Sequence, residues 1–280
     1  MTAETTSDPG RRFRALHQQD GIFIIPNPWD VGTARILASM GFPALATTSA
    51  GMAFALGRPE GRTPADEVLA HCRMIVGATD LPVSADLEKG FGDSPEAVAD
   101  TIRAAAGTGL AGCSIEDHTG RPDDPIFSFD LAVERIRAAV VASRGLDRDF
   151  VLTARAENFL WGRPDLADTI RRLQAFEKAG ADVLYAPGLH DLDSIRAVCG
   201  AVDRPVNVVM GMPGATFGLS DLAEAGAKRI SVGSALARAA FGAFLRAGRE
   251  MAKAGTFTFA NEAAGFQELE AIFSTFTDPR

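Results

Sequence analysis

The densest group of side chains able to do chemistry lies in "SADLEKGFGD", residues 84–93, where Asp86 and Glu88 follow an apolar run and precede a glycine-rich turn. Two like charges at the end of a buried strand repel each other, so the fold must supply a partner. Similar polar endings recur along the chain. Glu116-Asp117-His118 closes "GCSIEDH", Arg155-Ala156-Glu157-Asn158 closes "FVLTARAEN", Asn207 lies in "PVNVVM", and Thr48, Ser49 and Gly51 follow the run "ALA". Residues two apart in extended chain point the same way, which predicts that Asp86 and Glu88 share a face, with Glu116 close by on a neighbouring strand. An all-oxygen set with no cysteine nearby suits a hard cation, Mg2+ or Mn2+. The competing arrangement is a rim salt-bridge network in which Arg155 or Lys89 neutralises Asp86 or Glu88. Either would settle the repulsion.

The elements that position these residues follow a repeated grammar. "SMGFPALATTS", "GTGLAGCSIED", "KAGADVLYAPG" and "EAGAKRISVGS" each end an alanine-rich amphipathic run, place a glycine, and continue into a short apolar strand. Gly41, Gly109, Gly180 and Gly226 fit the left-handed position just past a helix. The first three recur about 70 residues apart, each interval holding one further strand, so the unit is about 35 residues, one strand and one helix. "IFIIPN", "ALATTS", "PVSADLE", "GCSIED", "FVLTARAE", "DVLYAPG", "PVNVVM" and "RISVGS" then make eight strands. The expected fold is α/β, a closed (β/α)8 TIM barrel spanning residues 1–255, with its chemistry at the carboxyl ends of the strands. An open doubly wound sheet is the rival, but "PNPWDVGTAR" after the first strand is not a Gly-x-Gly-x-x-Gly turn. Residues 9–18 read as a short helix across the barrel floor. Residues 256–280 form a helical extension whose Phe266, Leu269, Ile272, Phe273 and Phe276 need an apolar surface on the barrel or on a neighbouring subunit.

Composition narrows the classes. A formal charge of −8, from 36 acids and 28 bases without long runs of either sign, argues against nucleic acid. Cys72, Cys113 and Cys199 have no short Cys-x-x-Cys spacing and read as reduced structural thiols. No apolar run approaches a membrane span and the first residues do not resemble a secretory signal, so a cytoplasmic enzyme without a membrane partner is expected. "VGSALARAA" places Gly233 and Ser234 where many barrels bind phosphate, but a serine helix cap is the simpler reading.

From about residue 12 to residue 255 the sequence resembles the isocitrate lyase and phosphoenolpyruvate mutase superfamily. The segments carrying the resemblance are "PNPWDVGTARILASMGFPALATTSAGMAFALGRPEG", "PVSADLEKGFGD", "GCSIED", "LTARAE", "PVNVVMGMPG" and "RISVGSALARAA", in the family's order. The resemblance implies a barrel, usually tetrameric as a dimer of helix-swapped dimers, that binds Mg2+ and acts on 2-oxo acids or acids that yield them. It implies Asp86, Glu88 and Glu116 as the metal shell, Asp86 most directly and the others through water. Ser49, Ala50 and Gly51 match the loop that holds the substrate carboxylate or oxo group, with Thr48 and Asn207 at the same mouth, and Arg155 matches the arginine that grips the substrate.

Two departures stand out. The family's lyases carry Lys-[Lys/Arg]-Cys-Gly-His after the fourth strand, whereas this chain reads "EDHTGRPDDPIFSFD" over residues 116–130, without cysteine or lysine. The phosphonate enzymes place a lysine and usually an asparagine or threonine there, and Thr119 is the one partial match. In "LGRPEG" Glu60 stands where the family usually has aspartate. Glu60, His118 and Arg121 are the remaining catalytic candidates, His118 as a general acid and Arg121 from a polar, glycine- and proline-rich lid, Thr119–Pro125. The expected activity is Mg2+-dependent cleavage of a small 2-oxo or 2-hydroxy dicarboxylic acid through an enolate, with oxaloacetate-type decarboxylation favoured. The alternatives are a phosphonopyruvate or carboxyphosphonate mutase or hydrolase, and a catalytically silent metabolite-binding barrel.

Overall fold

The structure is a computed structural model that describes residues 8–276. Eight short strands, β1 (Phe23–Ile25), β2 (Leu45–Ala46), β3 (Val83–Asp86), β4 (Gly112–Glu116), β5 (Val151–Arg155), β6 (Val183–Tyr185), β7 (Val206–Val209) and β8 (Arg229–Ser231), pair in parallel in the order β1-β8-β7-β6-β5-β4-β3-β2. The seam between β1 and β2 is bridged by a single Ala46 N–H to Pro26 carbonyl bond of 3.0 Å. Asn27 reinforces it, donating to the Thr47 carbonyl at 3.0 Å and accepting from the Val232 and Gly233 N–H groups at 2.9 and 3.0 Å. The sheet is thus a nearly closed TIM barrel, as the strand count predicts.

The helices, in chain order, are α1 (Pro9–Gln18), α2 (Val31–Ser39), α3 (Ser49–Ala55), α4 (Ala65–Ala78), α5 (Pro95–Ala106), α6 (Phe129–Arg144), α7 (Leu166–Ala179), α8 (Leu192–Gly200), α9 (Leu219–Glu224), α10 (Ala235–Ala254) and α11 (Phe266–Phe273). Gly41, Gly109, Gly180 and Gly226 all adopt positive φ, between 83° and 105°, in the turns after α2, α5, α7 and α9. There a side chain would be strained, which is why glycine marks each helix stop. The principal core lies between the barrel and its helices, with Val98, Ile102, Ile115, Ile136, Leu152 and Phe176 fully buried. A second cluster plugs the amino end of the barrel, where Phe13 of α1 sits among Phe23, Ala44, Val151 and Val183. That leaves the other end for function.

The C-terminal α11 rests on α2 of its own chain, with Phe273 close to Gly32 and Arg35 over the ring of Phe276 at 5.5 Å. No helix among the described residues is long and apolar enough to cross a membrane. The three cysteines are free thiols, Cys72 and Cys113 buried.

Candidate active site

Arg155, the last residue of β5, is the hub. Its Nε donates to Glu157 at 2.7 Å, its Nη1 to Asp86 at 3.1 Å, and its Nη2 lies 3.2 Å from Glu116. Ladder register explains the meeting, because Glu116 pairs directly with Arg155 across β4–β5 and Asp86 with Ser114 across β3–β4. Glu60 reaches the same mouth from the loop before α4, and the Ser49 hydroxyl bridges the two sides, 3.0 Å from Asp86 and 2.9 Å from Glu60. Burial and the Asp86 charge push the Glu60 carboxyl above the usual range.

Glu88 reaches the group by a route that strand alternation does not give. β3 ends at Asp86, and Glu88 sits one turn on at φ 49°, followed by Phe91 at φ 56°. Both are left-handed positions that non-glycine residues rarely occupy. Its carboxyl is pushed up to about 8 by burial and by Asp86, Glu116 and Glu60. Glu116 and Glu157 rise to about 7, mainly by burial and against the pull of Arg155. Three carboxyls, those of Asp86, Glu116 and Glu157, contact this one guanidinium, and Glu88 and Glu60 lie close enough to feel its charge. The excess negative charge and all-oxygen chemistry fit a hard cation. No three His, Cys, Asp or Glu among the described residues already converge as an ion cage, because Asp86 and Glu116 are turned onto Arg155. Asp86, Glu88 and Glu116 are the acids at this mouth that could hold one.

Thr48 caps α3, its hydroxyl accepting the Gly51 N–H at 3.2 Å. That amide is thus engaged within the chain. A side chain at position 51 would meet Thr48, so glycine is required there by packing. Ser49 offers its hydroxyl, and Ala50 lines a cavity of about 240 Å³ with Thr48, Glu60, Asp86, Arg155 and Asn207. Ser234, expected as a helix cap, makes no capping bond and lines the same cavity.

His118 stacks on Trp161, ring centroids 3.6 Å apart and planes at 5°, with its Nδ1 3.8 Å from Glu116. Burial lowers its pKa below that of a free imidazole. The structure does not bring Arg121 into the cavity. Its Nη1 donates to Asp93 at 2.7 Å and its Nη2 lies 3.5 Å from Asp124, within a lid pinned by Thr119. Lys89 likewise turns away, to Asp93 and the Thr119 carbonyl.

Several supporting residues escaped the sequence reading. Arg135 of α6, 1% exposed, donates to the carbonyls of Lys89, Gly92 and Asp93 and so fastens the "KGFGD" turn from beneath. Arg172 holds Asp117, whose other oxygen accepts the Glu157 N–H at 2.8 Å. The Thr47 hydroxyl receives the Asp86 N–H at 2.9 Å. No spacing in the sequence signals these long-range contacts.

A barrel with its acidic hub at the carboxyl ends of β3 to β5 belongs to a recognisable class of lyases and mutases. The phosphoenolpyruvate phosphomutase family model matches residues 13–252, and the chain belongs to that family, within the isocitrate lyase and phosphoenolpyruvate mutase superfamily. A crystal structure of a putative lyase/mutase from Burkholderia cenocepacia is 58% identical and superposes with a TM-score of 0.93, covering 96% of each chain. The 2-methylisocitrate lyase of Escherichia coli is 34% identical over 71% of this chain and 68% of its own length. The oxaloacetate decarboxylase of Paraburkholderia xenovorans is 29% identical over 80% of this chain and 75% of its own.

Proposed function

We propose that the protein is a Mg2+-dependent carbon–carbon lyase acting on a small 2-oxo or 2-hydroxy dicarboxylic acid through an enolate, with decarboxylation of an oxaloacetate-like substrate favoured. The observation that carries this reading is the imbalance of acids at the strand ends, where Arg155 contacts Asp86, Glu116 and Glu157 while Glu88 and Glu60 stand close by without a cation of their own among the described residues. Asp86 would hold the cation, with Glu88 and Glu116 bonding its water. When bound, Mg2+ or Mn2+ would supply charge stabilisation to the enolate oxygen.

The Nη groups of Arg155, which hold Asp86 and Glu116 here, are the donors a substrate carboxylate would take. The Ser49 hydroxyl and Ala50 orient its other end. Glu60, 2.9 Å from the Ser49 hydroxyl, is the candidate group to deliver a proton to the carbon left behind, and His118 beside Glu116 is the second candidate, acting from its protonated form. The lid supports decarboxylation over aldol-type cleavage. It offers no cysteine or lysine to protonate a departing enolate, whereas carbon dioxide leaves as a neutral molecule. Arg121 stays outside this scheme while Asp93 holds it. Purified protein with Mg2+ should release pyruvate from oxaloacetate faster than free metal does, and failure to do so would overturn the reading.

The name of the family model favours a second reading, a mutase or hydrolase acting on phosphonopyruvate or a carboxyphosphonate. Phosphorus NMR of such compounds with enzyme would show new resonances if it holds. The assembly we propose is a homotetramer of helix-swapped dimers in the cytoplasm. α10 and the segment beyond leave Phe244, Leu245, Met251, Phe257 and Phe266 exposed, Phe244 by 75%. Such an apolar run suits a subunit interface. Light scattering on the eluted protein should give a mass near four chains.

A further inference from the structure

Arg229, the first residue of β8, carries a charge that the scheme above leaves unused. Its side chain crosses the barrel, donating through Nε to Asn207 at 2.8 Å and through Nη2 to Thr153 of β5 at 3.0 Å. Nη1 lies 3.2 Å from His17 Nε2 on the floor helix. His17 Nδ1 is 2.8 Å from the Phe13 carbonyl, which must accept its hydrogen, so Nε2 is the lone-pair side facing Arg229. Every one of these partners is neutral, and no carboxylate among the described residues pairs with this guanidinium. Arg229 is 5% exposed. A buried cation without an anion is costly, and other buried arginines avoid the situation. Arg155 and Arg172 have carboxylates, and Arg135 is wrapped by backbone carbonyls away from any described cavity.

Arg229 differs also in lining the active-site cavity, together with Asp86 and Arg155. Barrel interiors are normally filled by bulky branched side chains. Here the inward positions above Arg229 carry Ala46, Ser84, Ser114 and Ser231, which leave room down the axis. Thr153, which Arg229 reaches, precedes Arg155 by two residues, placing the two levels about 7 Å apart along β5. That separation is on the scale of a four- or five-carbon diacid. Three of the five guanidinium N–H groups are engaged, and two are left for a further acceptor.

We propose that the inner end of this cavity is an anion subsite in which Arg229 takes a carboxylate, presented by the far end of a diacid substrate or by a free small monocarboxylate. The first source rests on the diacid reading above, and the second does not. Formate titrated calorimetrically into the full-length protein at constant ionic strength tests the subsite without turnover. Wild type should show a saturable component that weakens about tenfold in Arg229→Lys, which loses the planar fork, and disappears in Arg229→Met with circular dichroism unchanged, whereas any binding at Arg155 stays the same in all three. If wild type shows no saturable binding, or if the isotherm of Arg229→Met matches that of wild type, the subsite is refuted. Should Arg229→Met not fold, the wild-type and lysine titrations still decide. Formate inhibition that is competitive with oxaloacetate and about tenfold weaker in Arg229→Lys identifies the substrate's far carboxylate as the occupant, and non-competitive inhibition weakened in the same way identifies a free anion. Arg229-dependent binding by a protein inert toward oxaloacetate would sink the decarboxylase reading alone. Turnover with formate binding indifferent to Arg229 would sink the subsite alone.

Discussion

The two ends of the barrel treat charge in opposite ways. At the floor Arg14 is shared between Asp149 at 2.6 Å and Asp182 at 2.7 Å, and Arg144 adds a second bond to Asp182. Each carboxylate there has its cation, and Asp149 is held below the usual range chiefly by its hydrogen bond from Arg14. At the mouth Asp86, Glu88, Glu116, Glu157 and Glu60 crowd one arginine, and four of the five are pushed upward. A matched network is a structural device. A network short of cations stores a demand for one, and the position of that demand marks the site.

The sharpest break in this contrast is Asp86→Ala. Activity dependent on Mg2+ should fall about a thousandfold or more while the barrel stays folded, because a ligand at the rim is lost and no core volume is removed. Pyruvate release and far-ultraviolet circular dichroism check the two halves. Arg155→Ala should cost about 3–5 kcal/mol in urea unfolding, since Glu157 and Glu116 would remain buried without their cation, and it should raise KM as well. Next comes pH. Carboxyls raised in the fold bind more protons than in the unfolded chain, so the mouth loses stability as pH climbs from about 4.5 to about 8. Mg2+ should therefore raise Tm more at pH 8 than at pH 5.5, read by calorimetry, and an equal shift at both would contradict the ligand assignment. The floor runs the other way, its Asp149 contribution being lost as pH falls. Arg14→Ala should cost only about 1–2 kcal/mol and leave turnover unchanged, the smallest effect of the set.

The barrel was legible because glycine positions and strand spacing are local signals, and Gly41, Gly109, Gly180 and Gly226 mark helix stops by a conformation other residues avoid. Asp86, Glu116 and Arg155 were legible because strand ends in a parallel barrel share one mouth. Glu88 was placed at the right mouth by the wrong geometry, since a left-handed turn rather than strand alternation takes it there. Arg135 and Arg229 were invisible for a plainer reason. Each acts on residues far from it in sequence, and one arginine in an alanine-rich helix or at a strand start reads like any other. Gly51 carries a packing role that no local signal announced, its amide bonded to the Thr48 hydroxyl and its α-carbon too close to Thr48 for a side chain.

The Asn27 clasp determines where the cylinder can part. Seven strand junctions are laced by ladders, and the eighth depends on one amide side chain and a single backbone bond. Breathing of the molecule should start there, and Ala46 should exchange its amide hydrogen ahead of the other strands. Because Thr48 and Ser49 stand immediately beyond that gap, a ligand gripping them would also draw the wall shut.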